Sequence, residues 1–167
     1  RQRLAQNVRF TVKWFERATT VPIQAPDDLR IGTPAWSNDS RQIAFRHDVA
    51  DGVELWVADA ATGKAKALAG IRLNDLFGRP FAWMSDNRHL LVRMVPPGAG
   101  GPPPMPAAPL GPVVEETAGK KSRAWTYQDL LKTPHDEDLF EYYGQVQLAV
   151  VDLASGAVQP IGSPGVI

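Results

Sequence analysis

Apolar and polar positions alternate along NVRFTVKWF, residues 7–15: Val8, Phe10, Val12 and Trp14 are apolar, and Arg9, Thr11 and Lys13 between them are polar. A period of two predicts a half-buried strand. Further along, the pattern changes. VELWVA (53–58) and QLAVV (147–151) are apolar at nearly every position, whereas a strand with one wet face alternates cleanly. These runs predict strands in sheets that are covered on both sides.

The pattern also repeats. TPAWSNDSRQIAF (33–45) returns as FAWMSDNRHLLV (81–92), matching Trp36 with Trp83, Asp39 with Asp86, Arg41 with Arg88 and Ile43 with Leu90 at an offset of 47 residues. ELWVADAATGKAKAL (54–68) returns as QLAVVDLASGAVQPI (147–161), matching Leu55 with Leu148, Val57 with Val150, Asp59 with Asp152 and Gly63 with Gly156 at an offset of 93. Repeats of roughly 40–50 residues built of short strands predict a β-propeller. The larger offset of the second pair means that the second copy is interrupted. Each half-copy reads as a hairpin: NDSR and SDNR supply turn-forming Asn, Asp and Ser. Gly63 and Gly156 stand where a hairpin requires positive φ. A two-sheet sandwich is the alternative, disfavoured because the Trp-turn-Arg and Asp-turn-Gly marks keep their order in both copies.

The predicted fold class is therefore all-β: a partial propeller of about two four-stranded antiparallel blades plus part of a preceding one. Residues 1–30 end an earlier blade, 31–69 form one blade, and 78–162 form a second that is interrupted over 96–145. The tail GSPGVI (162–167) reads as the lead into the next blade. A closed propeller has at least four blades, so the chain reads as a piece of a longer protein.

Within the interruption, residues 96–112 hold 8 of the 15 prolines, which excludes a helix or a central strand and predicts an extended loop. Its Pro103-to-Pro106 spacing has the shape read by aromatic-lined peptide-binding domains, and a scaffold docking SH3-like domains is a minor reading. Residues 126–145 are helical in character, with start signals at Thr126/Asp129 and at Thr133/Pro134/Asp136 and a stop at Gly144. Leu130, Leu131, Leu139, Phe140 and Tyr143 give this stretch an apolar side that packs on the blade or on a neighbouring domain.

Composition narrows the partners. Lys plus Arg and Asp plus Glu both number 18, so bulk charge gives no argument for nucleic acid or an anionic membrane surface. Without cysteine there is no disulfide, thiolate metal site or cysteine nucleophile. No apolar run approaches a membrane span of roughly 18–20 residues. The opening residues carry no signal-peptide pattern and no initial methionine, as in a trimmed or partial product. The compartment stays open: cytoplasm or periplasm in a bacterium, or a plastid if the source is a plant.

Candidate chemistry is sparse. Gly119-Lys120 lacks the glycine that a phosphate-cradling loop needs five positions earlier, where Val114 stands. His135, Asp136, Glu137 and Asp138 read as the first turn of a helix rather than a metal site. His47, His89 and His135 have no metal-ligand spacing. None of Ser37, Ser40, Ser85, Ser122, Ser155 and Ser163 sits in a G-x-S-x-G elbow. Catalytic, cofactor-binding and metal-ligating residues are thus assigned as none, and substrate-binding positions are left open.

AWSNDSRQIAF and ELWVADAATGKAKAL resemble repeats of the N-terminal propeller of prolyl oligopeptidase family serine peptidases, and also those of TolB-like propellers. The insertion separates the two. Its proline-rich run, then Gly111, Pro112 and Glu115, then Arg123 and Thr126 to Leu131, then Asp136 to Tyr143 and Gln147-Leu148 resemble the glutamyl endopeptidase branch of that family, over about residues 30–167. SNDS in place of the commoner Ser-Pro-Asp-Gly turn, and two extra residues in RAWTYQ, mark a divergent member. The resemblance implies that the catalytic Ser, Asp and His lie in a C-terminal α/β-hydrolase domain, onto which the propeller packs, limiting access to peptides. No family catalytic residue has a match in this chain. The alternative it leaves is a TolB-like propeller acting as a protein-binding module without enzymatic activity.

Overall fold

The computed structural model describes residues 9–16, 18–27, 29–32, 34–106, 131 and 133–167. A two-stranded sheet pairs β1 (Thr11–Trp14) with β2 (Thr19–Pro22). Two four-stranded antiparallel meanders follow. The first runs β3 (Ala35–Trp36), β4 (Gln42–Val49), β5 (Gly52–Asp59), β6 (Ala65–Arg72); the second runs β7 (Phe81–Trp83), β8 (His89–Met94), β9 (Gln145–Asp152), β10 (Val158–Val166). Among the described residues, one helix, α1 (Pro134–Gly144), lies between β8 and β9.

The register explains why the central strands are apolar on both faces. In β4 and β5 the pairs Ile43↔Ala58 and Phe45↔Trp56 face one way, and Ala44↔Val57 faces the other, with Leu55 on the same side. Ile43, Phe45 and Ala58 pack with Val12 of β1 and with Ile23, Leu29 and Ile31. Ala44, Leu55 and Val57 pack with Phe81, Leu90, Val92, Ala149 and Val151 of the second sheet. The first blade is thus covered on both faces, and each fully buried leucine or valine there contributes roughly 1.5–3 kcal/mol of transfer free energy.

Side-chain hydrogen bonds also join the repeats. The Trp83 indole Nε1 donates to the Ala35 carbonyl at 2.9 Å, tying the first strand of one blade to that of the other. The Asn38 amide donates to the Met84 carbonyl at 3.0 Å, and the Asp39 N–H donates to Asn87 Oδ1 at 3.1 Å, so the matched turns bond to each other.

One feature differs from the sequence expectation, and two others refine it. The tail does not leave the second blade: after a bulge between Ile161 and Gly165, Gly165 pairs with Val146 and Val166 with Gln145. An outermost strand tolerates Pro160 and Pro164 because one of its edges needs no ladder bonds. Helix α1 starts at the second predicted signal, where Thr133 and Asp136 form a reciprocal capping box with Pro134 behind them; the first signal, at Thr126 and Asp129, lies outside the described residues. Finally, Gly144 ends the helix without left-handed geometry, and the chain enters β9 directly through an extended Gln145. Glycine answers there to a close approach, since a Cβ would stand 3.1 Å from the Phe77 ring and 3.4 Å from Val166. The apolar side of the helix is only partly covered: Phe140 meets Phe77 at 5.6 Å between ring centroids, yet Phe140 and Tyr143 remain exposed, as does Leu131 ahead of the helix.

Candidate functional site

In a meander, connections alternate between the two ends of the strands, so each blade has one end carrying the β3–β4 and β5–β6 type of turn and another carrying the β4–β5 type and the link to the next blade. The first end consists of short turns that satisfy themselves. Asp39 Oδ1 accepts from Ser37 Oγ (2.7 Å) and the Arg41 N–H (3.1 Å). Asp59 Oδ1 accepts from the Ala61 and Thr62 N–H groups and the Thr62 hydroxyl, at 3.1, 2.8 and 2.8 Å. Their second copies do the same: Asp86 accepts from the Arg88 and His89 N–H groups, and Asp152 from those of Ala154 and Ser155.

The perturbed acids gather at this end. Ser37 and the Arg41 amide hold the Asp39 carboxyl below its usual range, and Thr62 does so for Asp59. His89, whose Nδ1 is 2.6 Å from Asp86 Oδ2, is the main cause of the fall of Asp86 to about 2. The Arg88 guanidinium, bonded twice to Asp152, depresses that carboxyl strongly and is itself raised. Such shifts are often read as catalytic, but here each acid is occupied in closing a turn.

The sequence-flagged histidines do not converge. His47 is buried on β4, its Nδ1 accepting from the Arg30 N–H at 3.2 Å, His89 serves Asp86, and His135 sits in the first turn of α1. Ser37 is buried and bonded to Asp39 and Gln42, and Ser155 caps the turn at Ala157. Among the described residues no group of three or more His, Asp or Glu side chains is placed to hold a metal ion, and no serine hydroxyl is bonded to a histidine. Ser122, Gly119 and Lys120 lie outside the described residues. Pro103 and Pro106 sit in irregular chain near the helix, where Tyr142 Oη donates to the Gly100 carbonyl at 2.7 Å.

The second end is elaborated. The link Leu73–Pro80 is pinned at three points. Asn74, buried, donates through Nδ2 to the carbonyls of Tyr143 (2.8 Å) and Gln145 (3.0 Å) while its Oδ1 accepts from the Leu76 N–H at 3.1 Å. An Arg93 guanidinium nitrogen donates to the Phe77 carbonyl. The Arg93 N–H donates to the Pro80 carbonyl at 2.8 Å. Beside this link a groove of about 540 Å³ runs along the first strands of both blades, lined among others by Trp36, Arg46, Asp75, Arg79, Phe81 and Trp83. Arg46 is ion-paired with Asp75 and lies 3.8 Å from Asp48, and it passes over Gly32, where a Cβ would stand 2.2 Å from its Nε. Sequence alone singles out Trp36 and Trp83 as repeat marks but not Asn74, Asp75 or Arg79. The available signal is the density of Asn, Asp, Gly and Pro in LNDLFGRP between two copies.

Two four-stranded meanders packed face to face, flanked by a hairpin on the far side of the first, make the chain a β-propeller segment. No protein-family model matches it. It is 38% identical over 151 residues to a probable glutamyl endopeptidase, chloroplastic, from Oryza sativa subsp. japonica, covering 84% of this chain and 16% of that protein. The protein of the same name from Arabidopsis thaliana is 39% identical over 150 residues, covering 84% of this chain and 15% of its own length. A solved acylaminoacyl peptidase in complex with Z-Gly-Gly-Phe-chloromethyl ketone superposes with a TM-score of 0.50 at 18% identity, over 96% of this chain and 22% of that one; at that identity it bears on the fold alone. The chain thus resembles a propeller segment of prolyl oligopeptidase family peptidases, on the side of the glutamyl endopeptidases. It spans about a sixth of the length of the curated relatives it matches. Both are plant proteins, so of the two sources left open by the sequence the bacterial one gains no support from them.

Proposed function

We propose that this chain is the non-catalytic propeller portion of a serine peptidase and that it limits the access of peptides to a separate α/β-hydrolase domain. That domain would cleave peptide bonds by acyl transfer, a serine attacking the carbonyl while a histidine oriented by an acid takes its proton. The observation that carries the reading is the identity of 38–39% over about 150 residues with two proteins named as glutamyl endopeptidases. The side chains described here agree with a supporting role, since the perturbed acids close turns and the bonded serines serve the backbone.

A fluorophosphonate probe tests it. The intact protein is expected to take up label at one serine outside residues 1–167, in a manner lost on denaturation, while the 167-residue chain stays unlabelled. The labelled species, assayed before modification, is expected to cleave a short peptide and to spare the same sequence held within a folded protein. An intact protein that takes no label overturns the peptidase assignment, and equal cleavage of both substrates overturns the gating role.

A further inference from the structure

We propose that Asp51 is a site of spontaneous isoaspartate formation, and that the modified residue is a substrate for a protein-isoaspartate carboxyl methyltransferase. The chemistry needs an aspartate followed by a residue that leaves its amide nitrogen open to attack. That nitrogen bonds to the side-chain carboxyl carbon, the carboxyl hydroxyl and the amide hydrogen leave as water, and a five-membered succinimide closes. Water then adds at either ring carbonyl. One opening restores aspartate; the other routes the main chain through the β-carbon and leaves the α-carboxylate as the free group, with the mass unchanged. Asp51-Gly52 is the only Asp-Gly pair in the chain, and Asn-Gly does not occur. Glycine places no β-carbon beside the attacking nitrogen.

The fold sets Asp51 apart from the other turn aspartates. Asp39, Asp59, Asp86 and Asp152 each accept from N–H groups of their own turn, which fixes the carboxylate towards amides beyond the next residue. Asp51 closes no turn in this way. Among the described residues its charged partner is Arg72, at 3.5 Å, and the two side chains are 75% and 45% exposed. A pair so open to water restrains its members little. Asp51 and Ala50 form the tip of the β4–β5 hairpin, bounded by the pair Val49↔Gly52, and such tips are held by few contacts. The turn cannot exchange its glycine without strain, because Gly52 has a φ of +154° and a Cβ there would stand 3.3 Å from Arg72 Cδ. An extra main-chain atom at this tip displaces the pairs Val49↔Gly52 and Asp48↔Val53, since loop length sets a hairpin's register.

The test ages the intact, folded protein at neutral pH and a warm but non-denaturing temperature, beside a synthetic peptide spanning residues 47–64. Trypsin, cutting after Arg46 and Lys64, releases the same segment from the protein. Liquid chromatography separates the isomers, and electron-transfer dissociation identifies isoaspartate by cleavage at its added main-chain Cα–Cβ bond. A recombinant isoaspartyl methyltransferase with radiolabelled S-adenosylmethionine gives a second readout, a methyl ester on the freed α-carboxylate. Asp51 in the folded protein is expected to isomerise within about tenfold of the peptide's rate, and at least about tenfold faster than Asp39, Asp59, Asp86 or Asp152. Asp51→Glu keeps the charge beside Arg72 but would have to close a six-membered ring, and it is expected to abolish both signals at this position while leaving the circular dichroism spectrum unchanged. Three results would each overturn the proposal: no isoaspartate at Asp51 once the peptide has converted, equal conversion at the four bonded aspartates, or methyl uptake at this segment that survives Asp51→Glu.

Discussion

The two blades carry the same marks at matched positions, but the positions are not equally used. Leu55 and Val57 in the first blade are buried against the second, whereas their counterparts Leu148 and Val150 are only partly covered. Ala44 is fully buried, and its counterpart Leu91 is 37% exposed. A repeat therefore specifies a face that is ready to be covered, while the neighbour decides whether it is. The energetic weight of a conserved-looking repeat position lies in what packs on it, not in the residue type.

The largest effect that separates the blades is a truncation at one such pair. Leu55→Ala removes a fully buried side chain between two sheets and is expected to cost about 3 kcal/mol. Leu148→Ala is expected to cost less than about 1 kcal/mol in the 167-residue chain, because water already reaches much of that side chain. Urea unfolding of both variants measures the difference. Equal losses would show that the second blade's outer face is as well covered as the first blade's inner one. In the intact protein a further repeat lying on that face would raise the Leu148→Ala loss towards that of Leu55→Ala.

The paired glycines give the next contrast. Gly63 and Gly156 have φ of +73° and +75°, so both substitutions to alanine pay for a left-handed backbone, about 1 kcal/mol. Only at Gly63 is there also a collision, since a Cβ would stand 2.1 Å from the Pro22 carbonyl oxygen; at Gly156 none of the described residues lies within 4 Å. The neighbouring backbone cannot move freely, because the Gly63 carbonyl accepts from the Gln24 N–H at 2.7 Å. Gly63→Ala is expected to cost about 3 kcal/mol in all, the extra 2 coming from overpacking against backbone, and Gly156→Ala about 1 kcal/mol. Thermal or urea midpoints of the two variants check it. A match between them would mean that the hairpin β1–β2 shifts without loss.

These contrasts also mark what was legible in the sequence. The blades were legible because alternation, Trp-turn-Arg and Asp-turn-Gly are local signals whose chemistry needs only nearby residues: Asp39 and Asp152 close their own turns. Helix α1 was legible for the same reason, through Thr133, Pro134 and Asp136. Gly63 was legible as a turn residue but not as the point where the preceding hairpin presses on the blade, and Gly144 was legible as a stop but not as the seat of the Phe77 ring. The groove was not legible, because Arg46, Asp75 and Arg79 come together only once two blades have been placed side by side. Local patterns report bonds within a turn, and they are silent on packing between repeats.

The smallest contrast lies in the SNDS turn. Ser40 and Asn87 occupy the same place in the two copies, with φ of +59° and +57°, where the commoner Ser-Pro-Asp-Gly turn has glycine. A left-handed backbone strains serine more than asparagine, which visits that region readily. Among the described residues nothing bonds the Ser40 side chain, whereas Asn87 Oδ1 accepts from the Asp39 N–H and so links the two turns. Ser40→Gly is therefore expected to stabilise the chain by about 0.5–1 kcal/mol, the relief of strain outweighing the added freedom of the unfolded glycine. Asn87→Gly is expected to be neutral or destabilising by about 0.5 kcal/mol, because it relieves less strain and gives up a hydrogen bond between blades. Paired urea titrations read the sign at each site, and stabilisation by both changes would mean that the Asn87 bond contributes nothing to holding the blades together.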